Sequence, residues 1–315
     1  MKLHQISGSP PPALAHALAE FELPFTYPLG PGKFFRITHG EDYTLFFRAI
    51  GDETCFIAEN EGRIAGVLGT AVRQLWMPDG TERAAAYIGD LKIAAAARGG
   101  TVLIRLARAA EARLRPKVKA AFGVVMDGTA QTPGAYTGRA GIPVFQNLSQ
   151  LMVLRILVNK DCIKNNPGHF QTTRQAGLAC YQRLSRGHFA CPVGDARQRS
   201  EITPVWLMKP DGSACGMLED TRKAKRLITG DGSELRSAHL SCFASNAVPA
   251  AAELIRVALG QVTALGLPAL FVAVARPEAQ ALREALHPCE VLAAPATVYG
   301  AGLEPGSWNI NSSEI

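Results

Sequence analysis

Tyr87-Ile88-Gly89-Asp90-Leu91-Lys92-Ile93-Ala94-Ala95-Ala96-Ala97-Arg98-Gly99-Gly100-Thr101-Val102-Leu103-Ile104-Arg105-Leu106-Ala107 is the stretch whose reading decides the fold. An apolar strand ends, four alanines carry the chain round, and Arg-Gly-Gly opens a helix. The first amides of a helix have no partner within it, and its dipole is positive at that end. With a cation and two side-chain-free glycines beside it, this turn is suited to an anion. The strand before it can hold the rest of a long, phosphate-bearing cofactor.

On the N-terminal side lies a hairpin. Thr54 to Glu59 is apolar and β-prone, Asn60-Glu61-Gly62 turns, and Arg63 to Trp76 is a long second arm. Pro78-Asp79-Gly80 turns again into the strand Ala84 to Ile93. On the C-terminal side, Leu103, Leu106, Ala107, Ala110 and Leu114 form one stripe of the helix, which Pro116 stops. Ala120 to Met126 reads as a strand buried on both faces. Asp127 to Pro143 is a glycine-rich loop, and Val144 to Val158 a further strand. Ala13 to Glu22 and Glu41 to Ile50 are short helix candidates, with a strand from Phe34 between them. The loop Pro24 to Gly32 precedes that strand.

The same order recurs about 150 residues on. Pro204 to Lys209 and Ala214 to Leu218 flank the turn Pro210-Asp211-Gly212-Ser213. Glu234 to Phe243 is a strand, Pro249 to Leu265 an amphipathic helix, Ala269 to Ala275 a strand, Pro277 to Leu286 a helix, and Glu290 to Tyr299 a closing strand. This predicts two similar α/β domains: an extension over 1–32, a first domain over 33–160, a connector over 161–200 marked by the turn Asn165-Asn166-Pro167-Gly168, and a second domain over 201–315.

Composition sets the limits. The chain has 315 residues, 47% of them hydrophobic and 19% charged, which suits a soluble globular protein with two cores. No apolar run is long enough to span a bilayer, and Pro10-Pro11-Pro12 interrupts any export signal, so a cytoplasmic location is expected. The seven cysteines show neither CxxC nor metal-finger spacing and read as buried thiols in a reducing compartment. No metal site is expected. The net charge of +6 favours anionic ligands, but the basic residues are too dispersed for a nucleic-acid footprint. The densest run, Lys223, Lys225 and Arg226, reads as a solvated strand face or turn. His39, His169, His188 and His239 have no spacing that suggests a triad or a metal.

Phe56-Ile57-Ala58-Glu59-Asn60-Glu61-Gly62-Arg63-Ile64-Ala65-Gly66 and Leu91-Lys92-Ile93-Ala94-Ala95-Ala96-Ala97-Arg98-Gly99-Gly100 together resemble the central hairpin and the pyrophosphate loop of the GNAT superfamily of acyl-CoA-dependent N-acyltransferases. The resemblance covers about residues 34 to 158, and as topology only about 203 to 303. It implies a mixed-sheet GNAT-like fold in tandem, the second copy degenerate because Ser245-Asn246-Ala247-Val248-Pro249 carries neither the arginine nor the glycine pair. It implies acetyl-CoA or another acyl-CoA as co-substrate. Its pantetheine would lie along Leu91, Lys92 and Ile93, and its diphosphate on Arg98, Gly99, Gly100, Thr101, Val102 and Leu103. Thr101 and Leu103 depart from the family's small residues in that loop.

The resemblance further implies acyl transfer, with acetyl the first expectation, to a primary amine on a small molecule or a peptide by direct attack. Asp90 is the candidate proton acceptor and Tyr136 the candidate proton donor to the leaving thiolate. Glu59 and Asp127 are secondary candidates for substrate contact. A non-catalytic acyl-CoA-binding or interaction module is the alternative. A third reading, an aminoacyl-tRNA donor, is disfavoured by the dispersed basic residues. Neither membrane nor nucleic-acid partners are expected, and oligomeric state is left open.

Overall fold

Arg63 to Trp76 is apolar on both sides of its pleat, and in the computed structural model of the chain it lies inside a large sheet, buried almost throughout from Ala65 to Ala71. The structure describes residues 1–30, 33–129, 131–159, 162 and 170–315. The turn Asn165-Asn166-Pro167-Gly168, His169, Pro31 and Gly32 lie outside the described residues.

The first half comprises β1 (Lys2–Ile6), α1 (Pro12–Glu22), β2 (Tyr27–Gly30), β3 (Lys33–Thr38), α2 (Leu45–Arg48), β4 (Asp52–Asn60), β5 (Arg63–Trp76), β6 (Glu82–Ile93), α3 (Val102–Leu114), β7 (Ala121–Met126), α4 (Pro133–Tyr136) and β8 (Gln146–Leu157). β9 (Gln171–Thr172), α5 (Arg174–Leu184), β10 (Phe189–Ala190) and α6 (Ala196–Arg199) lead across. The second half holds β11 (Val205–Met208), β12 (Ala214–Glu219), β13 (Arg226–Thr229), β14 (Ala238–Ser245), α7 (Val248–Ala264), β15 (Ala269–Ala275), α8 (Ala279–Ala285), β16 (Val291–Ala301) and β17 (Trp308–Asn309).

One sheet runs β1-β4-β5-β6-β7-β16-β8-β15-β14-β12-β11-β9, and β13-β3-β2 form a separate small sheet. Strands cross between the halves. β16 pairs antiparallel with both β7 and β8, and β8 pairs antiparallel with β15. The last strand of each half is thus seated beside the other half. Helix α3 buries Val102, Leu106, Ala110 and Leu114 at four-residue steps against one face of β4, β5 and β6. Helix α7 covers the same face of the second half. The opposite face carries α1, α2, α5 and the segment from Trp308 to Ile315.

Several expectations change. Residues 2–6, read as part of an extension, form the edge strand of the sheet on β4. The helix expected over 41–50 shrinks to four residues, because the Asp42 carboxylate accepts from the Thr44 amide and delays the start. Residues 183–199, within the expected connector, contain the end of α5 and all of α6. The expectation that every cysteine is a thiol is corrected: Cys162 and Cys289 are disulfide-bonded, with Cα atoms 5.1 Å apart. They meet because Cys162 follows β8, Cys289 precedes β16, and those strands pair as far as Ile156 opposite Val291. The other five cysteines are free and buried.

No helix of the described residues is long and apolar enough to cross a membrane.

Gly123 sits where β7 begins to leave β6. A Cβ there would lie 2.3 Å from the Ile88 carbonyl oxygen, a main-chain atom that cannot step aside. Gly123→Ala is expected to cost about 1–3 kcal/mol, read as a lowered urea midpoint at unchanged m-value.

Candidate functional site

β6 and β7 pair in parallel only at Ala86 opposite Ala121 and Tyr87 opposite Phe122, and then part. On its other side β6 slips against β5. Val67 faces Lys92 but Gly69 faces Gly89, so Asp90 and Leu91 bulge opposite Leu68. Asp90 lies in the left-handed region at φ 56°, which a non-glycine residue enters only when its surroundings hold it.

Those surroundings are ionic. Lys92 Nζ lies 2.8 Å from the Asp90 carboxylate and 2.7 Å from Glu22 Oε1, and His39 Nδ1 also meets Glu22 Oε1 at 2.7 Å. The Tyr43 hydroxyl donates to Asp90. Burial pushes the Asp90 carboxyl up, but the Lys92 charge, then His39, then hydrogen bonds from Lys92 and Tyr43 outweigh it and bring it down to about 2. Burial lowers Lys92, and Asp90, Tyr27 and Glu22 more than restore it, so its ammonium is held well above the usual lysine range. The donor atoms of Glu22, His39 and Asp90 cluster as metal ligands do. The Lys92 ammonium already supplies the cation they need.

Beyond β6, Ala95–Ala97 form one 3-10 turn, Gly99 takes φ 77°, and Thr101 precedes α3 without a side-chain cap. The first helical bond runs from the Arg105 amide to the Thr101 carbonyl. The amides of Gly99 to Ile104 find no acceptor among the described residues. Arg98, Gly99, Gly100 and Thr101 are exposed, Val102 is buried under α3, and Leu103 is half-buried. Ile93 continues the strand opposite Gly66, where a side chain would collide with Val102.

A cavity of about 1000 Å³ joins these parts. On the α3 side Leu103, Ala107, Ala110 and Leu114 line it, with Tyr136 across from them. Burial, and then the neighbouring Tyr299, push the Tyr136 phenol up to about 12. The cavity passes Gly89, Asp90 and Leu91 on β6 and Gly123 to Asp127 on β7. It opens on the far face beneath Tyr27, Phe35 and Ile37, beside Lys225, His239, Arg155 and Phe271. Of the residues expected at the site, Asp90, Leu91, Leu103 and Tyr136 line this space. Lys92 turns into the ion cluster, and Arg98 to Thr101 stand outside at the helix start.

Lys225 corrects the reading of its run as solvated. Lys223 and Arg226 are exposed, but Lys225 is 4% exposed. Its Nζ donates to the main-chain oxygens of Ile315 at 2.6 Å and Ser313 at 3.4 Å, and lies 4.4 Å from the centre of the Phe46 ring. No side-chain carboxylate comes within 4.0 Å among the described residues. Burial, then Arg199, bring it down to about 7 against the pull of Asp90 and Glu314. His239, also read as unremarkable, is buried with its Nδ1 3.1 Å from Ser312 Oγ, and burial followed by Lys225 and Arg199 holds it well below the usual range. Nothing in the spacing of Glu22, His39, Tyr43 or Lys225 marks them, because residues far apart in the chain converge here.

The second half repeats the geometry and closes it. β14 and β15 pair in parallel only at Ala238 and His239, β14 slips against β12, and Cys242 takes φ 47°. There the chain itself fills the gap: the Cys242 amide donates to Asn311 Oδ1 at 2.7 Å, and the Val193 amide to Cys242 Sγ at 3.3 Å.

This is the GNAT acyltransferase fold, present as two tandem copies joined by exchanged strands. Among solved structures, the chain is similar to N-myristoyltransferase of Saccharomyces cerevisiae with bound myristoyl-CoA, at TM-score 0.63 and 9% identity over 99% of this chain and 82% of that one. It is similar to a putative acetyltransferase from Pyrococcus horikoshii, at TM-score 0.59 and 12% identity over 98% and 92%. A GCN5-related N-acetyltransferase from Anabaena variabilis aligns at TM-score 0.51 and 13% identity over 95% and 72%. No protein-family model matches the sequence, and no curated protein matches it significantly.

Lys92→Met leaves two buried carboxylates without their cation and is expected to cost about 3–5 kcal/mol, measured by urea unfolding. Acid acts on the same pair. Asp90 titrates near 2 when folded and near 3.8 otherwise. Its contribution of about 2 kcal/mol is therefore present above pH 4 and lost as pH falls toward 2.

Proposed function

We propose that the protein is an acyl-CoA-dependent N-acyltransferase. One observation carries this reading: β6 and β7 part beside a bulge, directly below a helix N-terminus whose amides find no acceptor among the described residues. The diphosphate of the donor meets the amides from Gly99 to Leu103 and the Arg98 guanidinium. The pantetheine arm runs along Leu91 to Ile93 as an added strand. The thioester carbonyl reaches the bulge, where a main-chain N–H polarises it.

The acceptor amine enters from the far face. Its nitrogen attacks the carbonyl carbon, the carbon–sulfur bond breaks, and the electron pair leaves with sulfur. Asp90 was the expected proton acceptor, but a carboxylate held near pKa 2 is a weak base; in this reading it fixes the bulge. Lys225, lowered to about 7, accepts the amine proton in its neutral form. Tyr136, kept neutral, donates to the thiolate. An acetyl group occupies a small part of about 1000 Å³, so the same cavity accepts longer acyl chains or a large acceptor. Division into domains over 33–160 and 201–315 is kept as part of this reading, with the second shaping the cleft.

The test is release of free CoA from thioesters of increasing acyl length with a panel of amines. Binding without release supports a non-catalytic binding module instead. Arg98→Glu is expected to weaken CoA binding at least tenfold in calorimetry; unchanged binding means the loop is wrongly assigned. Lys225→Met is expected to lower kcat about 100-fold or more. The wild-type rate should rise with pH through about 7, as Lys225 loses its proton, and the variant should lack that limb.

A further inference from the structure

The far wall of the cavity carries a second cation, Arg155. Arg155 lies on β8 opposite Leu292 of β16 and Phe271 of β15. It alternates with Leu154 and Ile156, which enter the core under α7, so its side chain stands on the cavity face. Its guanidinium lies 5.9 Å from the centre of the Phe271 ring, and its Nε donates to Ser237 Oγ at 3.3 Å. The two terminal nitrogens have no acceptor among the described residues, and no carboxylate there comes within 4.0 Å. A guanidinium backed by an aromatic ring, with its planar fork open to a cavity, matches the geometry of a carboxylate or phosphate.

The other charges of this wall sort by position. Asp90 is neutralised by Lys92, and His239 is held neutral. Asp127, at the end of β7 where the strands have parted, accepts from Thr297 Oγ1 at 2.8 Å and has no cation partner among the described residues. A negative charge without an ion pair near the bulge, and far from it a positive charge whose nearest influence is the exposed Glu290, beyond ion-pair distance, suit a ligand that is cationic at one end and anionic at the other. Three strand spacings of about 4.8 Å separate β6 from β8, and Leu292, opposite Arg155, lies four residues of about 3.4 Å from Ala296, opposite Met126. The main chain at Arg155 is thus roughly 20 Å from the bulge.

Building on the acyltransferase reading, we propose that Arg155 is a specificity-determining residue that receives an anionic group on the amine acceptor, about 20 Å from the nitrogen that is acylated. An extended chain of about six residues spans that distance. The acceptor class is an elongated amine with a distal carboxylate or phosphate.

Alanine hexapeptides are the ruler: one with a free C-terminal carboxylate, one with a C-terminal amide, and one amide with a C-terminal phosphoserine. With wild type, the free acid or the phosphopeptide should show a KM about tenfold below the plain amide at similar kcat, and which of the two does so identifies the anion. Arg155→Met should raise that KM about tenfold and leave the amide unchanged, with Arg155→Lys between, and thermal melting should confirm that both variants fold. Equal KM values for the three peptides with wild type, or an equal rise for all in the variant, overturns the proposal. If no peptide is acylated, the CoA-release assay with the amine panel judges the acyltransferase reading separately, and calorimetry decides this one. Binding heat for an anionic peptide that Arg155→Met abolishes sustains it; equal heat in both proteins, or none in either, overturns it.

Discussion

The Lys92 ammonium, enclosed by Glu22 and Asp90, is the constraint on which the site depends. Asp90 occupies a left-handed backbone conformation that costs energy for a residue with a Cβ. Two carboxylates in a buried setting cost more, unless a cation stands between them. One side chain answers both, because the bulge that strains Asp90 also turns it toward Lys92 two residues on. Glu22 ends α1 and His39 follows β3, so the same cluster draws the N-terminal elements against the sheet. With the bulge fixed, β6 leaves β7 after Tyr87 and the cavity passes between them.

A second buried cluster holds the two halves in register. Glu314 is met by Arg73 of β5 and by Arg199 of α6, and Arg199 pairs in turn with Glu219 of β12. The Tyr87 hydroxyl donates to the Glu314 main-chain oxygen, and Ser313 Oγ bonds Glu219 at 2.8 Å. Two arginines balance two glutamates here, as Lys92 and His39 face Glu22 and Asp90 in the first cluster. Such pairs fix geometry more than they add stability, since desolvation consumes most of the Coulomb gain. Lys225 lies between the clusters with only main-chain oxygens and a ring for company. That difference in partners, at similar burial, is why one lysine is raised and the other lowered.

Much of the fold was legible in the sequence. The hairpin, the strand into the loop, α3 and β7 were readable because alternation and the four-residue stripe are local signals. So was the recurrence of that order in the second half. The exchange of β8 and β16 was not, since each reads as a strand wherever it is seated. The loop glycines announced themselves through composition. The cluster around Asp90 did not: Glu22, His39 and Tyr43 lie far from it in the chain, and Lys92, two residues on, reads as an ordinary strand residue. Lys225 was hidden most effectively, because Lys223 and Arg226 beside it are exposed and the run looks solvated throughout.

The two halves share one backbone plan and use it in opposite ways. Tyr87 and His239 hold equivalent places at the last parallel pairing, and Asp90 and Cys242 equivalent places in the bulge. Where the first half has a cation to balance a carboxylate, the second has a thiol that accepts from the Val193 amide and a Cys242 main-chain amide that donates to Asn311, so its gap closes without charge. The strand exchange then decides what lies beside the open gap. Because β16 pairs with both β7 and β8, the last strand of the first half is carried into the face of the second, and Arg155 goes with it. Two separate sheets would have placed that arginine beside its own half's opening. The joined sheet instead sets it at a distance across a shared floor, so a closed half still furnishes one wall of the cleft used by the open one.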